Sequence, residues 1–188
     1  FESLAIDDIR AAADMLHDVY VSSGGADGFA SLEVNPHLAD DTVKTVEEAR
    51  RLFAAVNKPN VMIKVPPTTA GIPAIKTLIS EGININVTLI FSANTYEDVR
   101  EAYISGLESR SIAGKDISNI SSVASFFVSR VDSAIDGVVE TLGPDHQTLT
   151  GNTAIANAKV AYKDFQETFR SKRFTSLQEK GARVHRPL

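Results

Sequence analysis

One stretch of the 188 residues raises a chemical question before any other. VMIKVPPTTAGI, residues 61–72, sets a lysine among four apolar residues and follows it with two prolines. An unpaired ammonium taken out of water costs several kcal/mol. Lys64 must therefore be paired, reach solvent along its stem, or give up its charge. The last choice is chemistry. Desolvation disfavours the ammonium, and a neutral amine attacks a ketone carbonyl to form a Schiff base. The iminium then draws electrons from a neighbouring C–C bond, which breaks and leaves an enamine.

Such chemistry needs partners, and the strand-like segments offer them. In a strand, residues i and i+2 share a face. NINVTLIF puts Asn84, Asn86 and Thr88 on one side and Ile85, Val87 and Leu89 on the other. FASLEV groups Phe29, Ser31 and Glu33, VMIKV groups Met62 with Lys64, and SSVASFFV groups Ser125 with Phe127. The polar members fall towards the C-terminal ends of their strands. Asn86 and Ser125 suit the hydroxyls of a sugar, and Glu33 with Thr88 suits a water that shuttles protons. Arg130 offers a phosphate a bidentate guanidinium. Plainer readings stand beside these. A Lys or Glu at a strand end can simply be leaving the core. Asn86 and Thr88 can satisfy neighbouring polar groups, and Arg130 can pair with Asp132 or Asp136. The histidines at 17, 37, 146 and 185 have no metal-ligand spacing and read as surface.

The elements that must position these groups alternate. FESLAIDDIRAAADMLHDVY repeats apolar residues Leu4, Ile6, Ile9, Ala12, Met15, Leu16 and Val19 at helical spacing. FASLEV, VMIKV, INVTLIF and SSVASFFV read as strands. DDTVKTVEEARRLFAAV, AGIPAIKTLISEG, TYEDVREAYISGLESR, VDSAIDGVVETL and NTAIANAKVAYKDFQETFR read as helices. Gly82 is a stop signal, and Thr95 is a candidate cap with Asp98 three residues on. Helix and strand alternating four times predicts parallel strands with right-handed crossovers. An open doubly wound sheet and a (β/α)8 barrel both fit. The G-x-G-x-x-G phosphate loop of the former is missing. Polar groups converging at the C-terminal ends of consecutive strands favour the barrel.

Composition excludes some partners. A net charge of -5 and a pI near 5.4 argue against nucleic acid. The Lys- and Arg-rich segment from Lys159 to Arg186 interleaves Asp164, Glu167 and Glu179, which reads as a solvated helix surface. There are no cysteines, hence no disulfides or thiol chemistry. No apolar run reaches the ~20 residues of a membrane span. A single cytoplasmic domain over 1–188 is the expectation.

SLEVNP, VMIKVP, INVTLIFS and SVASFFVSRVD, in this order and spacing, resemble transaldolase, in the bacterial form also found fused to glucose-6-phosphate isomerase. The likeness covers essentially the whole chain. It implies that Lys64 is the Schiff-base lysine, with Glu33 and Thr88 holding the catalytic water. Asn86 and Ser125 would bind the dihydroxyacetone hydroxyls, and Arg130 the phosphate. Phe127 falls where related sugar-phosphate aldolases carry tyrosine, a departure that favours transfer over simple aldol cleavage. The implied reaction needs no cofactor. It moves a dihydroxyacetone unit from sedoheptulose 7-phosphate or fructose 6-phosphate to glyceraldehyde 3-phosphate or erythrose 4-phosphate, in the pentose phosphate pathway. The resemblance further implies that these strands are the third to sixth of an eight-stranded barrel. Neither the family's first strand, with its aspartate acid/base, nor its TSNPT-like second precedes Phe1. The expectation is thus a central fragment, inactive alone and self-associating through strand edges. A lysine-dependent aldolase and an inactive half-barrel are the alternatives.

Overall fold

A computed structural model describes residues 2–184. Four strands form one sheet: β1 (Ala30–Glu33), β2 (Val61–Val65), β3 (Ile85–Ile90) and β4 (Ser122–Phe126). All pair in parallel in the order β1-β2-β3-β4. A doubly wound sheet reverses its order at a switch point, and this one does not. The parallel α/β expectation holds, and the sequential order is the one a barrel uses.

The helices are α1 (Glu2–Met15), α2 (His17–Ser22), α3 (Thr42–Val56), α4 (Gly71–Glu81), α5 (Ala93–Ile112), α6 (Ser129–Thr141), α7 (Thr153–Phe169) and α8 (Lys172–Gln178). They pack neighbour to neighbour, α1 on α3, α3 on α4, α4 on α5 and α5 on α7. Same-handed crossovers keep them on one side of the sheet. The core lies between: Ile63, Val65, Ile85, Val87 and Ile90 from the strands, with Ile75, Leu78, Ile79 and Leu107 from α4 and α5. Those two helices approach closely because Gly106 has no side chain. A Cβ there would stand 2.7 Å from Ile79 Cβ.

Local signals explain most boundaries. The Asp41 side chain accepts the Lys44 amide at the start of α3, and Asn57, at φ 51°, closes it. Gly82, at φ 96°, closes α4. The cap of α5 is Ser92, whose Oγ accepts the Thr95 amide at 3.1 Å, so Thr95 lies inside the first turn. The first helical run breaks at Leu16. Leu4, Met15 and Val19 are exposed; of α1 only Ile6 and Ala13 are buried, with Ile9 packed partly against the core. The short α8 falls within the Lys159–Arg186 segment read as a solvated helix surface; its seven residues are too few to show a period of their own.

The strands are clasped at their N-terminal ends by two buried asparagines. Asn60 donates to Ala13 O and Gly28 O, both at 2.8 Å. Asn84 donates to Pro59 O and Val61 O at 3.3 Å and accepts the Ser121 amide at 2.9 Å. It holds three strands in step, a structural task distinct from that of Asn86. The alternation fails further along β3. Val87 pairs with Ala124 but Ile90 with Phe126, so β3 carries one extra residue against β4. Leu89 takes it up, at φ 61° and 37 % exposed, and so leaves the apolar face it was expected to share with Val87.

No helix among the described residues is long and apolar enough to cross a membrane.

Candidate active site

Register brings the expected residues together. Glu33 is the pairing partner of Lys64, and Lys64 that of Asn86, so the three form a row across β1, β2 and β3. Ser125 joins from β4, its hydroxyl donating to Asn86 Oδ1 at 2.8 Å. The other end of the Asn86 amide donates to Ser31 Oγ at 3.3 Å. Parallel pairing aligns every C-terminus at the same end of the sheet, so the row lies towards the rim where barrel sites are built.

Lys64 corrects one expectation and answers the opening question. Its Nζ lies 3.1 Å from Glu33 Oε2, with the two side chains 30 % and 43 % exposed. The stem is embedded between Ile63 and Val65, but the head reaches the rim and is paired there. The apolar pocket that would strip its charge is not what surrounds it. The flanking strand residues are apolar because they face the helices, and Lys64 faces the other way.

The two prolines belong to a connection pinned against the loop after β1. The Thr68 hydroxyl donates to Ala39 O, and Thr42 Oγ1 donates to Ala70 O at 2.7 Å. Gly71 closes this loop where a Cβ would fall 1.9 Å from Pro66 O, so only glycine fits. The segment leaving Lys64 is held rigid by its neighbours.

Thr88 is buried on the Asn86 side of β3. No direct hydrogen bond joins it to Glu33 or Lys64 among the described residues. Phe127 lies just beyond β4, its amide donating to Ile90 O at 2.8 Å. Its ring stacks on Phe91, centroids 5.3 Å apart at 25°. The Arg130 guanidinium sits over the Phe127 ring, Cζ 4.7 Å from the centroid. Arg130 does not pair with its sequence neighbours. Asp132 Oδ1 accepts the Ala154 amide and Asp136 Oδ1 the Gly151 amide. His17, His37 and His146 are exposed, in α2 and in short 3-10 segments; His185 and Arg186 lie outside the described residues.

Sequence reasoning missed Ser31 and Phe91 as members of this site. Alternation had already put Ser31 beside Glu33, and only its reach to Asn86 across an intervening strand was hidden. Phe91 follows the extra residue of β3, so alternation could not orient it.

A cavity of about 270 Å³ lies beside this row and shares Ser31 and Asn86 with it. Its walls include Phe29, Met62, Tyr96, Tyr103 and Arg100. Arg100 is 8 % exposed, and its Nε and Nη1 have no hydrogen-bond partner among the described residues. The cation rests instead on the Tyr96 ring, 4.4 Å from the centroid. Burial pushes the Tyr96 hydroxyl up to about 12 and the Tyr103 hydroxyl higher still. Neither phenol is an acid or base at neutral pH.

Comparison with known proteins agrees with the motifs. The family model described as Transaldolase/Fructose-6-phosphate aldolase matches residues 1–187. The chain is 52 % identical over 182 residues to "Transaldolase 1" of Streptomyces avermitilis, covering 96 % of this chain and 48 % of that protein. It is 50 % identical over 187 residues to "Transaldolase" of Mycolicibacterium smegmatis, covering 99 % of this chain and 50 % of that one. A third, "Transaldolase" of Thermobifida fusca, is 51 % identical over 182 residues, with 96 % and 50 % covered. The chain spans about half the length of the curated relatives it matches.

Proposed function

The chain belongs to the transaldolase/fructose-6-phosphate aldolase family, and from that premise we propose that it carries the Schiff-base half of a transaldolase site. The observation that carries the reading is the row Glu33–Lys64–Asn86, contiguous by register and extended to Ser125 by a hydrogen bond. A lone lysine at a strand end would need no such company.

In this reading Glu33, 3.1 Å from Nζ, takes the ammonium proton as the ketose phosphate enters. Lys64 Nζ attacks the C2 carbonyl and water leaves, giving the iminium. The C3–C4 bond breaks with its electron pair passing into the iminium, while the C4 hydroxyl proton goes to a base. The aldehyde departs and the enamine stays on Lys64. The enamine carbon then attacks the acceptor aldehyde, and water releases the new ketose. Asn86 and Ser125 present an amide and a hydroxyl to the dihydroxyacetone hydroxyls, and Thr88 helps hold the water. Phe127 walls the site, and Arg130 takes the phosphate. The donors are sedoheptulose 7-phosphate or fructose 6-phosphate. We assign the four strands to the middle of an eight-stranded barrel forming one domain.

Sodium borohydride added with fructose 6-phosphate to the full-length protein is expected to leave a substrate-derived mass on Lys64. Lys64→Met should abolish both the adduct and turnover. An adduct on another lysine, Lys76 for example, overturns the assignment. Dependence of turnover on an acceptor aldehyde separates transfer from an aldolase that releases free dihydroxyacetone.

A further inference from the structure

Arg130 stands at the second position of α6, exposed, with no ion-pair partner among the described residues. The two carboxylates its own helix could offer are committed to amides at the start of α7 and just before it. Among the described residues its guanidinium rests on the Phe127 ring. A guanidinium lying over a ring uses its face, and its N–H edge stays free for a planar, bidentate anion contact. What fixes the ring therefore fixes the cation.

The Phe127 ring is backed by Phe91, which stacks on it at 5.3 Å and is 42 % exposed. An aromatic ring that open contributes little to the core. Phe91 is itself held from a third element, because Asn157 Nδ2 in α7 donates to its carbonyl at 2.8 Å. Asn157, Phe91, Phe127 and Arg130 thus form a relay from α7 through the ends of β3 and β4 to the start of α6.

We propose that Phe91 and Asn157 are positioning residues that seat the Arg130 guanidinium for the anionic end of the substrate, a phosphate monoester. This rests on the reading of Arg130 given above. The relay orders the cation before substrate arrives, so less side-chain freedom is lost on binding.

The test uses the full-length protein with two readouts: binding of inorganic phosphate, followed on the Arg130 side-chain nitrogen resonance, and steady-state kinetics with fructose 6-phosphate. Phe91→Ala is expected to weaken phosphate about two- to fivefold, the range of an exposed cation–ring contact, and to raise KM similarly. The kcat should hold within about twofold. Phe91→Tyr keeps the stack and should restore wild-type values, which excludes a general loss of fold. Asn157→Ala should show a smaller change of the same kind. In an Arg130→Ala background, Phe91→Ala should cost nothing further. A loss in kcat with phosphate affinity unchanged, or a loss that adds to that of Arg130→Ala, overturns the positioning role alone. If Arg130→Ala leaves phosphate affinity intact, the phosphate reading itself fails, and the relay has no purpose to serve.

Discussion

Lys64 and Arg100 are two cations treated in opposite ways. Lys64 looks buried in the sequence and is in fact held at the rim by Glu33. Arg100 sits in an unremarked helical stretch and is nine-tenths buried, with two of its three guanidinium nitrogens lacking a hydrogen-bond partner among the described residues. Sequence spacing could single out Lys64 because a strand period assigns its face. It could not reveal its exposure, which depends on how far the rim stands from the helices. Arg100 gave no warning, since its burial is set by α7 and the chain around Arg183 closing over α5. An ammonium paired at a half-exposed rim adds little to stability, on the order of 1 kcal/mol or less. A buried guanidinium whose hydrogen-bonding capacity is only partly met is a net cost. Arg100→Met is therefore expected to leave stability unchanged or raise it by up to about 2 kcal/mol, read as a higher urea midpoint at constant slope. A loss above about 1 kcal/mol would show that the guanidinium is satisfied by something other than the Tyr96 ring.

At the scale of elements, α5 is the helix on which the rest depends. It packs on α4 through Gly106, and Arg173 of α8 grips Glu101 and Glu108 from outside at 2.6 and 2.7 Å. The Arg173 hydrogen bonds, with help from the Ser105 hydroxyl, hold Glu101 down at about 2 against an ordinary 4.5. Glu108 is lowered by the same arginine. A depressed carboxylate contributes its stability above the unfolded value and loses it as pH falls towards the folded one. Docking of α8 should thus weaken from about pH 4.5 down to about 2. All three groups are partly exposed, so each contact is worth about 1 kcal/mol or less. Acid titration of the unfolding free energy should show a shallower slope for Glu101→Gln than for wild type. Equal slopes would mean that the clamp is ornamental in solution. The helices and their stops were largely readable, because Gly82 and the apolar periods are local signals. The clamp was not, since seven residues of α8 must first be brought across from over 60 positions away.

The whole molecule is a run of parallel strands paired in chain order, and that much followed from alternation and from polar groups collecting at one end of consecutive strands. The extra residue in β3 did not, because its cause is the pairing with β4 and not anything in INVTLI itself. Among the described residues, β1 and β4 each pair on one side only. Unpaired strand edges invite a second chain. The 188-residue chain taken alone is therefore expected to sediment above its 20.3 kDa monomer, increasingly so with concentration. A concentration-independent monomer would show that both edges are protected. The same order bears on how the molecule is made. Strands begin at Ala30, Val61, Ile85 and Ser122, and each of the last three finds its partner already synthesised in the strand before it. No strand must wait for a distant one, so the sheet can grow on the ribosome in the direction of translation, one βα unit at a time. The growing edge is then always the newest strand, and the polar row is assembled in the order Glu33, Lys64, Asn86, Ser125, each member meeting a neighbour that is already in position.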